Sequence, residues 1–144
     1  MRKKFVVFIP ILIFCLALPC LLLGCNPKKY GERYSLQNAY DAGILTVNDL
    51  EIIARLEPSE VPLDEKTEKA IKESFAYEVN QTQKGAKAKP EEFILTYYGT
   101  IGKVVLVESS SPYYNYPAIV GTREIGGVAI DCDKYFRLKV FVWD

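Results

Sequence analysis

Around Pro90 the hydrophobic repeat of this chain changes from 3.6 residues to 2, and that change limits what it can fold into. Before it, apolar residues recur at helical spacing. Ser35 stands where a helix N-cap would, with Leu36, Ala39 and Tyr40 on one face and Gly43 as a stop. Thr46 followed by Asp49 has the pattern of a capping box, and Val47, Leu50, Ile53 and Ala54 form the stripe behind it, until Pro58 and Pro62 close the segment. Asp64 opens the longest helical stretch, to about Asn80, with Thr67, Ile71, Phe75 and Val79 on one face and mostly charged residues between them. Beyond Pro90, Phe93 to Ile101 and Val104 to Ser109 are rich in β-branched and aromatic residues and are separated by a turn near Gly102. Ala118 to Ile125 and Val128 to Cys132 flank Gly126-Gly127, a hairpin signal, and Phe136, Leu138, Val140 and Val142 alternate with Arg137, Lys139, Phe141 and Trp143. Helices first and strands afterwards predict an α+β fold, with two or three amino-terminal helices packed on one face of a four- to five-stranded antiparallel sheet.

The 144 residues, about half of them apolar, suit one domain, and the amino terminus stands apart from it. Arg2, Lys3 and Lys4 precede an apolar run from Phe5 to Leu23, which ends at Gly24-Cys25. This is the layout of an export signal. Leu22-Leu23-Gly24-Cys25 resembles the lipobox of bacterial lipoproteins, with an aliphatic residue three before the cysteine and a small one directly before it. The resemblance implies that the Cys25 thiol takes up a diacylglyceryl group and that cleavage falls between Gly24 and Cys25. Two or three acyl chains would then anchor the protein in the cell membrane, facing the extracytoplasmic side; two suffice for stable attachment. The division predicted is a signal peptide over 1–24, a tether over 25–34 and one α+β domain over 35–144. The rival reading is an uncleaved anchor, because the run is nearly long enough to span a bilayer, although Pro10 and Pro19 would weaken such a helix.

Charge and cysteines narrow the function classes. Lys and Arg together equal Asp and Glu at 18 each; without residues 1–24 there remain 15 basic against 18 acidic side chains. A mildly acidic mature chain argues against nucleic acid as a partner, since phosphates call for a basic stripe. Cys15 and Cys20 lie in the apolar run and Cys25 takes the lipid, which leaves Cys132 without a disulfide partner.

Two further segments, Ala39 to Thr46 with Asp49-Leu50 and Ile53-Ala54, and Tyr97-Tyr98-Gly99-Thr100 before the Val104 to Val107 strand, resemble a group of small uncharacterised exported proteins and lipoproteins of Gram-positive bacteria. That resemblance implies helices followed by a small sheet and carries no site residues.

The chain has no histidine, so the Ser-His-Asp and Cys-His arrangements are excluded, and Cys132 alone makes no zinc site. Asp131 and Asp133 offer oxygens without further ligands nearby, so neither a metal nor a cofactor is expected. Glu91, Glu92, Glu108, Glu124 and Asp131 lie in or beside the predicted sheet and would have to converge to do acid–base work. The segment Ser109 to Pro117 sets Tyr113, Tyr114 and Tyr116 between two prolines. Splayed outward, the three rings would be a binding surface for a glycan, peptide or protein; laid on the sheet, they would be packing. The reading that follows is a lipid-anchored envelope protein acting as a binding or interaction module and not as an enzyme. A carboxylate-based envelope hydrolase and an inhibitor or immunity-type structural module are the alternatives.

Overall fold

The computed structural model describes residues 32–142, so Gly24, Cys25, the apolar run and Trp143 lie outside the described residues. The first strand, β1 (Glu32–Ser35), runs directly into helix α1 (Leu36–Asp41), whose N-cap Ser35 accepts the Asn38 N–H at 3.1 Å. Helix α2 (Val47–Arg55) begins on a full capping box: Thr46 Oγ1 accepts from the Asp49 N–H and the Asp49 carboxylate from the Thr46 N–H. Asp64 caps α3 (Glu65–Thr82) through the Thr67 N–H, and these bonds hold its carboxyl below the usual carboxylate range. The three caps stand where the sequence puts them.

A short 3-10 turn (Pro90–Glu92) leads into β2 (Ile94–Ile101) and β3 (Val104–Ser110), then β4 (Thr122–Ile125) and β5 (Val128–Asp131), a last short helix α4 (Cys132–Arg137) and β6 (Leu138–Val142). The main sheet is antiparallel throughout in the order β1-β6-β3-β2, and β4 and β5 form a separate hairpin. The α+β class is thus present.

The helices divide between the faces of the sheet, unlike the one-face packing expected from their order. Val104, Leu106, Leu138 and Val140 point to one side, where they join Leu36 and Ala39 of α1, Leu50 and Ile53 of α2, and Ile125 and Ile130 of the hairpin. Val105, Val107 and Phe141 point to the other, against Ile71, Phe75, Ala76 and Val79 of α3. The physical reason lies in Val104-Val105-Leu106-Val107, all buried, because a strand apolar on both faces needs a cover on each.

A bulge keeps β2 consistent with this division. Its register against β3 shifts between Tyr97 and Gly99, with Gly99 at φ +141°. Tyr97 therefore faces the α3 side, whereas Tyr98 and Ile101 both face the α1–α2 side. Without the extra residue Ile101 would point away from its core.

Three segments depart from the expected boundaries. The strand expected to include Phe136 starts at Leu138, because Asp131 accepts the Asp133 N–H and winds Cys132–Arg137 into one helical turn. Ala118 to Gly121 stays outside β4. β1 begins at Glu32, inside the expected tether, because its main chain pairs with β6.

Gly126 and Gly127 both have positive φ, as a two-residue hairpin turn requires, and a Cβ on Gly126 would sit 2.7 Å from the Tyr40 ring. Gly126→Ala is expected to cost about 2–4 kcal/mol, from strain and clash together, and Gly127→Ala, which meets no atom, only about 1 kcal/mol. Urea unfolding midpoints would separate the two. Asn80 clamps the loop after α3 by accepting the Ala88 N–H at 2.7 Å and donating to the Ala88 carbonyl at 3.1 Å. Asn80→Ala should cost about 1–3 kcal/mol in the same measurement.

Candidate functional site

The Tyr-rich loop leaves β3 at Ser110 and crosses the α3 side of the sheet. Tyr113 stacks on Phe93 at 6.0 Å between ring centres and donates its hydroxyl to Glu92 at 3.0 Å. Tyr114 sets its edge against Phe75 and Phe93 at 6.0 and 5.9 Å. Tyr116 lies 5.6 Å from Tyr114 and beneath the Arg137 guanidinium at 5.1 Å. The rings do not splay outward together. Tyr113 and Tyr114 roof the aromatic cluster of Phe75, Phe93 and Phe141, and each of the three remains half-buried. The Gln83 side chain, donating to the Tyr113 carbonyl at 3.1 Å, ties this roof to the end of α3.

Beside the far end of the roof lies a group of cations. Arg33 on β1 is covered by Phe75, 5.1 Å from its guanidinium, and pairs with Glu78 of α3. Lys139 on β6 shares its face of the sheet and is partly buried, which holds its ammonium below the ordinary range, with Arg33 adding to the shift. Arg137 reaches Glu108 and Asp133, both at 3.7 Å.

The carboxylates weighed for acid–base chemistry go to separate structural duties. Glu92 accepts from Tyr113 and from the Lys89 N–H. Glu108 accepts the Tyr98 hydroxyl at 3.1 Å and faces Arg137. Asp131 caps α4, and Glu91 and Glu124 are exposed. Cys132 is buried and unbridged at the start of α4. Among the described residues no group of three or more acidic or cysteine side chains is placed to hold a metal ion, and no helix is long and apolar enough to cross a membrane.

One groove borders the outer edge of β2. It has a volume of about 280 Å³ and lies between the Pro58 to Leu63 connection and Leu95 to Tyr97. The Ser59 N–H donates to the Tyr97 carbonyl at 2.8 Å, so the connection covers part of that edge. Val61 and Ile94 stand exposed beside it. Sequence reasoning missed this groove, although the Pro58 and Pro62 pair that shapes it was visible as a helix stop.

Burial raises the hydroxyls of Tyr98 and Tyr114 to about 12, with Glu108 adding to the shift at Tyr98 and Arg33 opposing it at Tyr114. An unfolded tyrosine ionises near about 10. The fold therefore favours the protonated form, and this stability is complete below pH ~10 and lost as pH rises through ~12. Alkaline titration followed by circular dichroism should show Tyr114→Phe with a shallower loss of structure in that window. Tyr114→Ser, which also removes the ring from Phe75 and Phe93, should cost about 1–3 kcal/mol at neutral pH. An unchanged urea midpoint would make the ring a surface feature.

No protein-family model matches this chain, and no curated protein or solved structure matches it.

Proposed function

We propose that this chain is a lipid-anchored protein of the cell envelope, held on the extracytoplasmic side of the membrane through Cys25, and that its domain acts by binding another envelope component. The observation that carries the anchor is the placing of Leu22-Leu23-Gly24-Cys25 at the end of the apolar run, where a thiol and a small preceding residue are what lipidation and cleavage need. β1 begins at Glu32, and residues 26–31 can reach at most about 20 Å when fully extended, so the sheet would stay near the membrane surface.

The binding part of the reading rests on the outer edge of β2. An edge strand with main-chain groups turned outward, beside a groove lined by Pro58, Val61, Pro62 and Leu63, suits an extended segment of an envelope protein added as a further strand. Tyr113, Tyr114 and Tyr116 contribute less than their spacing promised, since two of the three rings are engaged with Phe75 and Phe93; Tyr116 with Arg137 is what that loop offers a glycan or a protein.

Cys25→Ala is the direct test. Cells given a radiolabelled fatty acid should label the parent protein and not the variant, and the variant should accumulate as uncleaved precursor or leave the membrane fraction. Equal labelling of both would remove the lipid anchor from this reading. A parent protein that stays unlabelled and membrane-bound at precursor mass would put an uncleaved helix in its place.

A further inference from the structure

The main sheet ends on two unlike edges. β1 has four residues, with Glu32 and Arg33 among them, and a short charged strand is a common means of keeping an edge from pairing with another chain. β2 has eight residues, Ile94 to Ile101, with neither a charge nor a proline. The Pro58 to Leu63 connection stands on its outer side, and among the described residues the bond from the Ser59 N–H to the Tyr97 carbonyl is the one main-chain link between them. So light a cover leaves Val61 70% and Ile94 69% exposed beside it. The same bond shows which residues of β2 turn their main chain outward. Tyr97 does, and by alternation so does Leu95. Val107, opposite Tyr97, therefore turns its own main chain away from β2; Val105, two residues on, does the same, and its partner past the bulge, Thr100, is outward like Tyr97.

We infer that the Pro58 to Leu63 connection is a removable cap on β2, and that the strand replacing it is β2 of a second copy of this chain, running antiparallel. With Ile94 set opposite Ile101 of the second copy, Leu95 of each copy meets Thr100 of the other, both with outward main chain, and each such pair exchanges two hydrogen bonds. About four main-chain bonds form across the joint, against the Ser59 bond that each copy gives up. Beyond the strand ends the same register carries Glu92 of one copy to the exposed Lys103 of the other, with the exposed Glu91 beside it, and does so at both ends. Opposite charges meet there, whereas a parallel joint would set acid against acid and lysine against lysine. The inference rests on the reading of β2 as the binding edge and names what that edge takes.

Sedimentation equilibrium of the full-length protein in density-matched non-ionic detergent measures the association, and amide hydrogen exchange reads the edge. Ser59→Pro removes the N–H that holds the cap, so its dimer should have a Kd roughly tenfold or more below that of the parent, while Ser59→Ala keeps the N–H and should follow the parent. The Leu95 and Thr100 amide protons should exchange freely in the monomer and slowly in the dimer. Lys103→Glu added to Ser59→Pro should undo the association by bringing acids together, and Glu91→Lys as a third change should restore it. The parent, concentrated, should form the same dimer with the same loss on Lys103→Glu, so the outcome does not depend on how Ser59→Pro folds. Parent and Ser59→Pro both monomeric at every concentration, or a dimer indifferent to Lys103→Glu, overturns the inference. Free exchange at Leu95 and Thr100 in such a monomer leaves β2 open to a strand of another envelope protein; protection there without a dimer removes the binding edge as well.

Discussion

Successive residues of β3 and β6 go to opposite hydrophobic clusters, and every other element is placed by that alternation. Leu106 and Val140 need α1, α2 and the β4–β5 hairpin above them; Val107 and Phe141 need α3 and the aromatic loop below. Neither cover suffices alone. A side chain of this kind contributes roughly 1.5–3 kcal/mol when it is fully removed from water, so leaving either face open would forfeit several such terms. The bulge at Gly99 belongs to the same constraint, since it returns Ile101 to the correct side after Tyr97 and Tyr98 have served one face each. The loop from Ser111 onward is drawn down for the same reason: Phe75 and Phe93 would otherwise meet water.

The helix starts were legible because they depend on local chemistry. Ser35, the Thr46–Asp49 pair and Asp64 accept backbone N–H groups within three residues, so no distant contact is needed to read them. The two-sided sheet was legible in principle from the unbroken run Val104 to Val107, and the order of elements misled by suggesting a single helical layer. β1 was hidden for a different reason. Its Glu-Arg-Tyr-Ser sequence has no apolar alternation, and only a partner more than a hundred positions away makes it a strand. α4 was masked by the alternating pattern that runs through Phe136, where the Asp131 cap overrode it.

The candidate sites were less legible than the fold. Three tyrosines between prolines look the same in sequence whether they meet a ligand or Phe75 and Phe93, because Tyr serves both uses. The cation pair was invisible until register placed Arg33 beside Lys139, two residues from opposite ends of the domain. Charge totals gave no warning, since a mildly acidic chain can still gather its cations on one face.

β6 sits between β1 and β3, so the sheet is joined through the strand that comes last among those described. Until Leu138 to Val142 is available, β1 has no neighbour to pair with, and β3 has only β2. The β1–β6 pairing closes a loop of about a hundred residues, at a cost that grows only with the logarithm of loop length, and the complete four-stranded sheet waits for β6. No stretch of the chain that stops short of β6 can therefore lock into the finished sheet, however its other elements pair.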